Sequence, residues 1–157
     1  MRVYLVQHGE SKPEEEDPKR RLTDQGVRNV QKVARFLRPL GLKLETIWHS
    51  GKHRAQQTAE ILAGAVSASQ GMLHHNDLAP KDPVAPVKQA IEQSAGDLMI
   101  VSHLPFLGKL TALLVADNEE TEIVAFRFGC VVCVERIEDG PWKLAWMIVP
   151  ALLGAQA

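Results

Sequence analysis

The sequence has no long apolar segment, few cysteines and almost no net charge. No stretch reaches the roughly 18 apolar residues that a membrane-spanning helix requires. The opening MRVYLV is too short for the core of a signal peptide and lacks a small-residue cleavage site. The formal net charge is -1 at pH 7, so overall charge does not favour nucleic acid or a membrane surface as a partner. We therefore expect a cytoplasmic protein whose function depends on local chemistry.

The two cysteines, Cys130 and Cys133, form a C-x-x-C pair. Such a pair can indicate metal or redox chemistry, but this one lies in a β-rich run. On a strand, residues three apart point to opposite faces, and one pair cannot supply the four ligands of a structural zinc site. We interpret both cysteines as structural residues and expect no metal here.

Length and composition predict a single domain that spans residues 1–157. Apolar residues make up 45% of the chain and charged residues 24%, which is ordinary for a globular protein large enough to bury a core. The sequence shows no internal repeat, low-complexity tract or linker. Because the charges are spread along the chain, a monomer is the simplest expectation.

Strand-like and helix-like segments alternate over the first three-quarters of the chain. Periodicity predicts strands at 2–8, 46–50 and 97–103, and helices at 22–41, 53–66, 87–95 and 105–116. Residues 72–86 read as a loop, residues 121–150 as about three strands, and the C-terminal end as a packed or frayed tail. This order predicts an α/β three-layer sandwich, with a mainly parallel central sheet, helices on both faces and an antiparallel C-terminal meander.

Histidines follow the predicted parallel strands at the edge where such sheets carry their sites. His8 ends the first strand, His49 and Ser50 end the second, and His103 ends the buried 97–103 strand. Ligands of open α/β sheets bind beyond the carboxyl ends of the strands. We therefore expect these side chains to meet at one site.

Two further residues favour an anion at this edge. Gly9 follows His8 and suits a tight turn in which backbone amides approach an anion. Arg54 opens the second helix, where a helix N-terminus attracts anions and a guanidinium binds phosphate oxygens in pairs.

Four segments together resemble the histidine phosphatase superfamily, the phosphoglycerate-mutase-like branch with an R-H-G turn after its first strand. In chain order they are VQHGES, LTDQGVRNVQKVARFL, IWHSGKHRAQQTAEIL and LMIVSHLPFLGKL. The short length and the SHLP strand end are most similar to the SixA-type phosphohistidine phosphatases.

The resemblance implies a role for each residue of the predicted site. His8 would be the nucleophile that forms a phosphohistidine intermediate, and Arg54 and His103 would bind the phosphoryl oxygens and stabilise the transition state. The implied substrate is phosphohistidine on a signalling or phosphotransfer protein. The resemblance implies neither a metal nor an organic cofactor.

A general acid is not evident. Larger members of the family use a carboxylate from the segment after the second helix, and here that segment offers His74, His75, Asp77 and Asp82. Phosphohistidine needs less help from an acid because imidazole is a better leaving group than an alkoxide. We assign none of the four.

Gln7 departs from the family pattern, since it stands where the first arginine of R-H-G belongs. Glutamine keeps one amide donor for phosphate but lacks the charge, and losing a preorganised donor typically costs about 3–4 kcal/mol of transition-state stabilisation. The basic run Lys19, Arg20 and Arg21 follows in the next loop. We hypothesise that Arg20 or Arg21 restores the missing charge, although the run also reads as a solvated balance to the preceding acidic residues.

Three functions remain open from the sequence. The first is an active phosphohistidine phosphatase of reduced rate. The second is a catalytically silent module that binds a phosphorylated ligand, which Gln7 supports and the presence of His8, Arg54 and His103 opposes. The third is a phosphatase for a small phosphoester, which a longer acid-bearing insertion would have favoured.

Overall fold

The computed structural model describes residues 1–154, in which a six-stranded mixed sheet lies between two layers of helices. The strands are β1 Arg2–Gln7, β2 Lys43–Leu44, β3 Thr46–His49, β4 Ser67–Ala68, β5 Met72–His74, β6 Leu98–Ser102, β7 Val131–Glu135 and β8 Lys143–Ile148. The helices are α1 Asp24–Leu37, α2 His53–Ala63, α3 Ala85–Glu92 and α4 Phe106–Ala116, with short 3-10 turns at Arg38–Leu40 and Pro150–Leu152. The last residues of the predicted tail, 155–157, lie outside the described part.

The order of the strands in the large sheet is β5-β3-β6-β1-β7-β8, and β2 pairs with β4 in a small separate sheet. β1, β3, β5 and β6 run parallel, whereas β7 is antiparallel to β1 and β8 is antiparallel to β7. The predicted fold class is therefore confirmed. Within residues 1–154 no helix is both long and apolar enough to cross a membrane.

Two details of the predicted element order are wrong. Residues 121–150 contain two strands rather than three, because Gly129, at φ 76°, turns the chain out of the sheet before β7 begins. Its N–H donates to the carbonyls of Gln7 and His8, so residues 121–128 never pair with β1. The predicted loop at 72–86 contains the edge strand β5, whose three residues are too few for a periodic signal.

The sheet separates two apolar cores. Val3 and Leu5 of β1 pack on the side of α3 and α4, and Tyr4 and Val6 pack on the side of α1 and α2. The two cysteines follow the same alternation, since Cys130 belongs to the first core and Cys133 to the second, and both are buried free thiols. Their predicted position on opposite faces is confirmed.

The start of α1 packs against the loop that follows β1. Thr23 is the N-cap, and its hydroxyl accepts from the Gly26 N–H at 2.9 Å. The Thr23 N–H in turn donates to the Glu10 carbonyl at 3.0 Å. A Cβ on Gly26 would lie 2.2 Å from that carbonyl oxygen, so only glycine allows this approach. The contact positions the turn at His8 against the first helix.

Gly26→Ala is expected to destabilise the protein by about 1–3 kcal/mol, the usual cost of overpacking, because backbone must move to admit the methyl group. Gly108→Ala is the matched control, since Gly108 also lies in a helix but its Cβ would have no neighbour nearer than 3.9 Å outside the helix backbone. That change should stabilise the protein by roughly 0.5–1 kcal/mol. Urea unfolding measures both, and equal midpoints for the two variants would contradict the packing argument.

Candidate active site

The structure brings His8, Ser50 and His103 together at the carboxyl ends of three adjacent strands. β6 lies between β3 and β1 in the sheet, and each of the three residues directly follows one of these strands. The His8 N–H donates to the Ser102 carbonyl at 3.1 Å, which continues the parallel ladder one residue beyond β1. The ring centroids of His8 and His103 are consequently 4.9 Å apart.

His8 is held as a neutral imidazole in one tautomer. Its Nδ1 donates to the carbonyl of Gly9 at 2.7 Å, and only 6% of the residue is exposed. Burial, against the opposing effect of the Gly9 carbonyl and with smaller contributions from the charges of Arg54 and Arg20, lowers the pKa of His8 to about 4. At neutral pH the ring therefore carries its one proton on Nδ1, and Nε2 has a free lone pair.

Gly9 has a different role from the one expected. Its N–H already donates to the hydroxyl of Thr58 at 2.9 Å, so it is not free to bind an anion. A Cβ on Gly9 would lie 2.9 Å from Cγ2 of Val30, which explains the glycine by packing against α1. Thr58, which the sequence reasoning did not single out, also donates to the Arg54 carbonyl at 2.8 Å. It thereby links the His8 turn to the first turn of α2.

His103 is more deeply buried than His8. Only 2% of the residue is exposed, and its Nε2 lies 2.7 Å from the hydroxyl oxygen of Ser50. Burial lowers the pKa of His103 to about 3, with smaller contributions from His8 and Arg54. His103 is therefore also neutral at pH 7.

Three residues of the predicted site each have a buried polar atom with no hydrogen-bond partner within the described residues. These atoms are Oε1 of Gln7, Nε of Arg54 and Nδ1 of His103. A buried polar atom without a partner costs free energy, and a group of them at one place is typical of a site that binds a polar ligand. Rotation of the Gln7 amide by 180° would present its NH₂ group in place of the oxygen, and the donor set would then suit an oxyanion.

Arg20, rather than Arg21, adds positive charge to this site. The charge of Arg20 lowers the pKa of His8, Arg54 and His103 alike. Its guanidinium donates to the Lys12 carbonyl at 3.3 Å and to the Ser11 hydroxyl at 3.4 Å, both in the loop after β1. Of the two residues in the hypothesis, Arg21 is directed elsewhere, because its side chain is 54% exposed and pairs with Asp17 at 2.9 Å.

The residues that could have supplied a general acid lie elsewhere. His74 packs on Gly51, and the ring of His75 lies 4.6 Å from that of Trp48. The carboxylate of Asp82 accepts from the Ala79 N–H at 2.9 Å, while Asp77 is exposed. Within residues 1–154 none of the four hydrogen-bonds to His8, Arg54 or His103, and no carboxylate contributes to the pKa shifts of the two central histidines.

Apolar side chains form the rim of the site. The ring of Phe128 lies 5.6 Å from that of His8 and is 50% exposed, and Leu104, directly after His103, is 42% exposed. The sequence does not indicate a role for Phe128 at the site, because its segment has the pattern of a strand. The rim leaves the two imidazoles next to an open, partly apolar surface.

Comparison with known proteins places this geometry in context. Residues 3–78 match the family model described as Histidine phosphatase superfamily (branch 1). An uncharacterized protein of Picosynechococcus sp. is 35% identical over 116 residues, which cover 69% of this chain and 70% of that one. Phosphohistidine phosphatase SixA of Escherichia coli is 25% identical over 158 residues, covering 98% and 96% of the two chains. The structure of the protein histidine phosphatase SixA complexed with tungstate superimposes with a TM-score of 0.83 at 24% identity, covering 97% and 99%.

Arg20→Ala should weaken the binding of inorganic phosphate or tungstate about 10-fold, because a hydrogen bond to a charged group contributes roughly 1.5 kcal/mol. Arg21→Ala should leave the affinity unchanged, since its exposed pair with Asp17 contributes little. Isothermal titration calorimetry on the two variants measures the difference. Equal affinities of Arg20→Ala and the unsubstituted protein would show that Arg20 does not contribute to anion binding.

Proposed function

Because the chain belongs to the histidine phosphatase superfamily, we propose that it removes phosphate from phosphohistidine on a signalling or phosphotransfer protein, through a phosphorylated intermediate on His8. The main observation that supports this proposal is the tautomer of His8. Its Nδ1 proton is held by the Gly9 carbonyl, and the ring is neutral at pH 7. Nε2 is therefore available as a nucleophile without prior loss of a proton.

The proposed reaction has two displacements at phosphorus. In the first, Nε2 of His8 forms a bond to phosphorus, and the electron pair of the breaking P–N bond leaves with the imidazole of the substrate. In the second, water attacks the phosphorus, the electron pair of the P–N bond returns to Nε2, and both protons of the water remain on the released phosphate. Arg54 and Arg20 would neutralise charge on the phosphoryl oxygens in both steps, and the neutral His103 would bind one of these oxygens by a hydrogen bond.

The absence of a nearby acid favours phosphohistidine over a phosphoester. A leaving imidazole that keeps a proton on its other nitrogen departs as a neutral molecule, so the first displacement needs no proton donor. An alkoxide leaving group does need one, and general acid catalysis typically contributes about 10²–10⁴-fold. Within the described residues no carboxylate lies beside His8 or His103 to supply that proton.

The open rim is consistent with a substrate that is itself a protein. Phe128 is half exposed and its ring lies 5.6 Å from that of His8, and Leu104, the residue after His103, is 42% exposed. A partner that carries an exposed phosphohistidine could cover these apolar side chains when it binds. The name of the E. coli relative, phosphohistidine phosphatase, supports the same class of substrate.

Incubation with phosphoramidate should place an acid-labile phosphate on His8, which mass spectrometry under alkaline conditions would locate. His8→Ala should abolish this phosphorylation, and His53→Ala should not, because His53 is an exposed residue at the start of α2. A phosphohistidine peptide should be hydrolysed about 100-fold or more faster than a phosphoserine peptide, because only the ester needs a general acid.

The same experiment separates the other two functions. Tight binding of phosphate without phosphorylation of His8 or turnover would identify a silent binding module. Comparable rates on the phosphoserine and phosphohistidine peptides would favour a phosphomonoesterase. Either result would overturn the proposed function.

Gln7→Arg is expected to raise kcat/KM about 10-fold, because it adds a cation where one buried amide now lies. If Arg20 substitutes for the missing arginine, Arg20→Ala should cost less in the Gln7→Arg background than in the unsubstituted protein. Gln31→Arg, on the exposed face of α1, adds the same charge away from the site as a control. Additive effects of the two active-site changes would show that Arg20 does not compensate for Gln7.

A further inference from the structure

Ser50 makes a short contact with His103 that the proposed reaction does not yet explain. β3 and β6 are adjacent parallel strands, with His49 opposite Val101. Ser50 and His103 leave the ends of these strands, and the Ser50 hydroxyl oxygen lies 2.7 Å from Nε2 of His103. At this distance one of the two groups donates a hydrogen bond to the other.

The turn after Ser50 holds the hydroxyl in this position. Gly51 has φ 85°, and a Cβ there would lie 2.4 Å from Nε2 of His74, so the turn depends on glycine. The Gly51 N–H donates to Nδ1 of His49 at 3.1 Å. The Lys52 N–H points at the Ser50 hydroxyl oxygen from 3.4 Å. The oxygen of Ser50 is thus placed to accept from Lys52 while its own proton is directed to a different partner.

The other nitrogen of His103 is the atom that a ligand could satisfy. Nδ1 is buried and has no hydrogen-bond partner within the described residues, and the residue is only 2% exposed. The ring is neutral at pH 7 and so carries one proton. A bare nitrogen would repel a phosphoryl oxygen, whereas an N–H would donate to it. The location of that single proton therefore decides whether His103 can bind phosphate through Nδ1.

We propose that Ser50 is a positioning residue whose hydroxyl donates to Nε2 of His103 and thereby holds the ring proton on Nδ1, ready for a phosphoryl oxygen. This inference rests on the proposed function, because it assigns Nδ1 of His103 to the phosphoryl group. Ser50 does for His103 what the Gly9 carbonyl does for His8: each fixes one ring nitrogen and leaves the other for the substrate. At His8 the acceptor is the Gly9 carbonyl, so the free nitrogen, Nε2, carries a lone pair. At His103 the donor is the Ser50 hydroxyl, so the free nitrogen, Nδ1, carries the proton.

The test combines ring ¹⁵N NMR with binding and kinetics on the full chain. The ¹⁵N spectrum of the unsubstituted protein should show His103 protonated on Nδ1, with the resonance assigned by its loss in His103→Gln. Ser50→Ala should shift the ring toward the Nε2-protonated tautomer, weaken tungstate binding about 10-fold and lower kcat about 10- to 100-fold, the usual effect of removing a partner that orients a functional histidine. Ser50→Thr keeps the hydroxyl and should restore all three properties to within about threefold.

Ser102→Ala is the structural control. Its hydroxyl is buried at the same sheet edge but donates to the Leu78 carbonyl at 2.7 Å, so its loss should lower stability without changing the His103 tautomer. A His103 ring protonated on Nε2 in the unsubstituted protein would overturn the inference, as would unchanged tungstate affinity in folded Ser50→Ala. If the tautomer and tungstate results hold but His8 is never phosphorylated, the proposed function fails and Ser50 stands as a positioning residue for oxyanion binding.

Discussion

The parallel pairing of β1 with β6 is the constraint on which the candidate site depends. Gln7 pairs with Ser102 at the end of the ladder, and the next residue on each strand is a histidine. The His8 N–H continues the pairing to the Ser102 carbonyl, so two imidazoles separated by nearly a hundred residues lie in contact. A slip of one residue would turn one of the rings to the other face of the sheet. The buried, apolar strand interiors on both sides of the sheet prevent such a slip.

This pairing has an electrostatic cost that an oxyanion would offset. Two buried imidazoles lie close to the partly buried Arg54, and Arg20 and Lys52 are close enough to lower the pKa of His103. Because the pKa of each histidine is lowered, both rings are neutral at pH 7 and add no charge to the site. Among residues 1–154 no carboxylate forms an ion pair with the remaining cations, Arg20, Lys52 and Arg54, whereas the exposed Arg21 pairs with Asp17. A phosphoryl group would supply both the charge and the hydrogen-bond acceptors.

Those features that depend on position along a strand or helix could be predicted from the sequence. The strand-end argument predicts His8 and His103 at one edge because parallel strands end on the same side of a sheet, and it predicts Arg54 nearby because the second helix opens directly after the second strand. Features that depend on contacts between distant segments could not be predicted. The Gly9 N–H donates to the hydroxyl of Thr58 in α2. The Ser50 hydroxyl lies within hydrogen-bond distance of His103 because β3 lies beside β6. Neither contact can be predicted from the periodicity of apolar residues in the sequence.

The residue at the end of β1 is the neutral Gln7, and a loop residue, Arg20, adds its charge to that of Arg54 beside the two histidines. An arginine at the end of β1 would be held by the strand, whereas Arg20 must be held by its own turn, where it has φ 50°. Asp17 organises that turn: it accepts from the Lys19 and Arg21 N–H groups at 3.2 and 3.0 Å, and its hydrogen bonds with Arg21 hold its pKa well below the usual range. Asp17 therefore holds the backbone that presents Arg20 through the N–H groups of Lys19 and Arg21, which do not depend on the Arg21 side chain. The hydrogen bonds that position Arg20 are thus separate from the sheet pairing that aligns the two histidines.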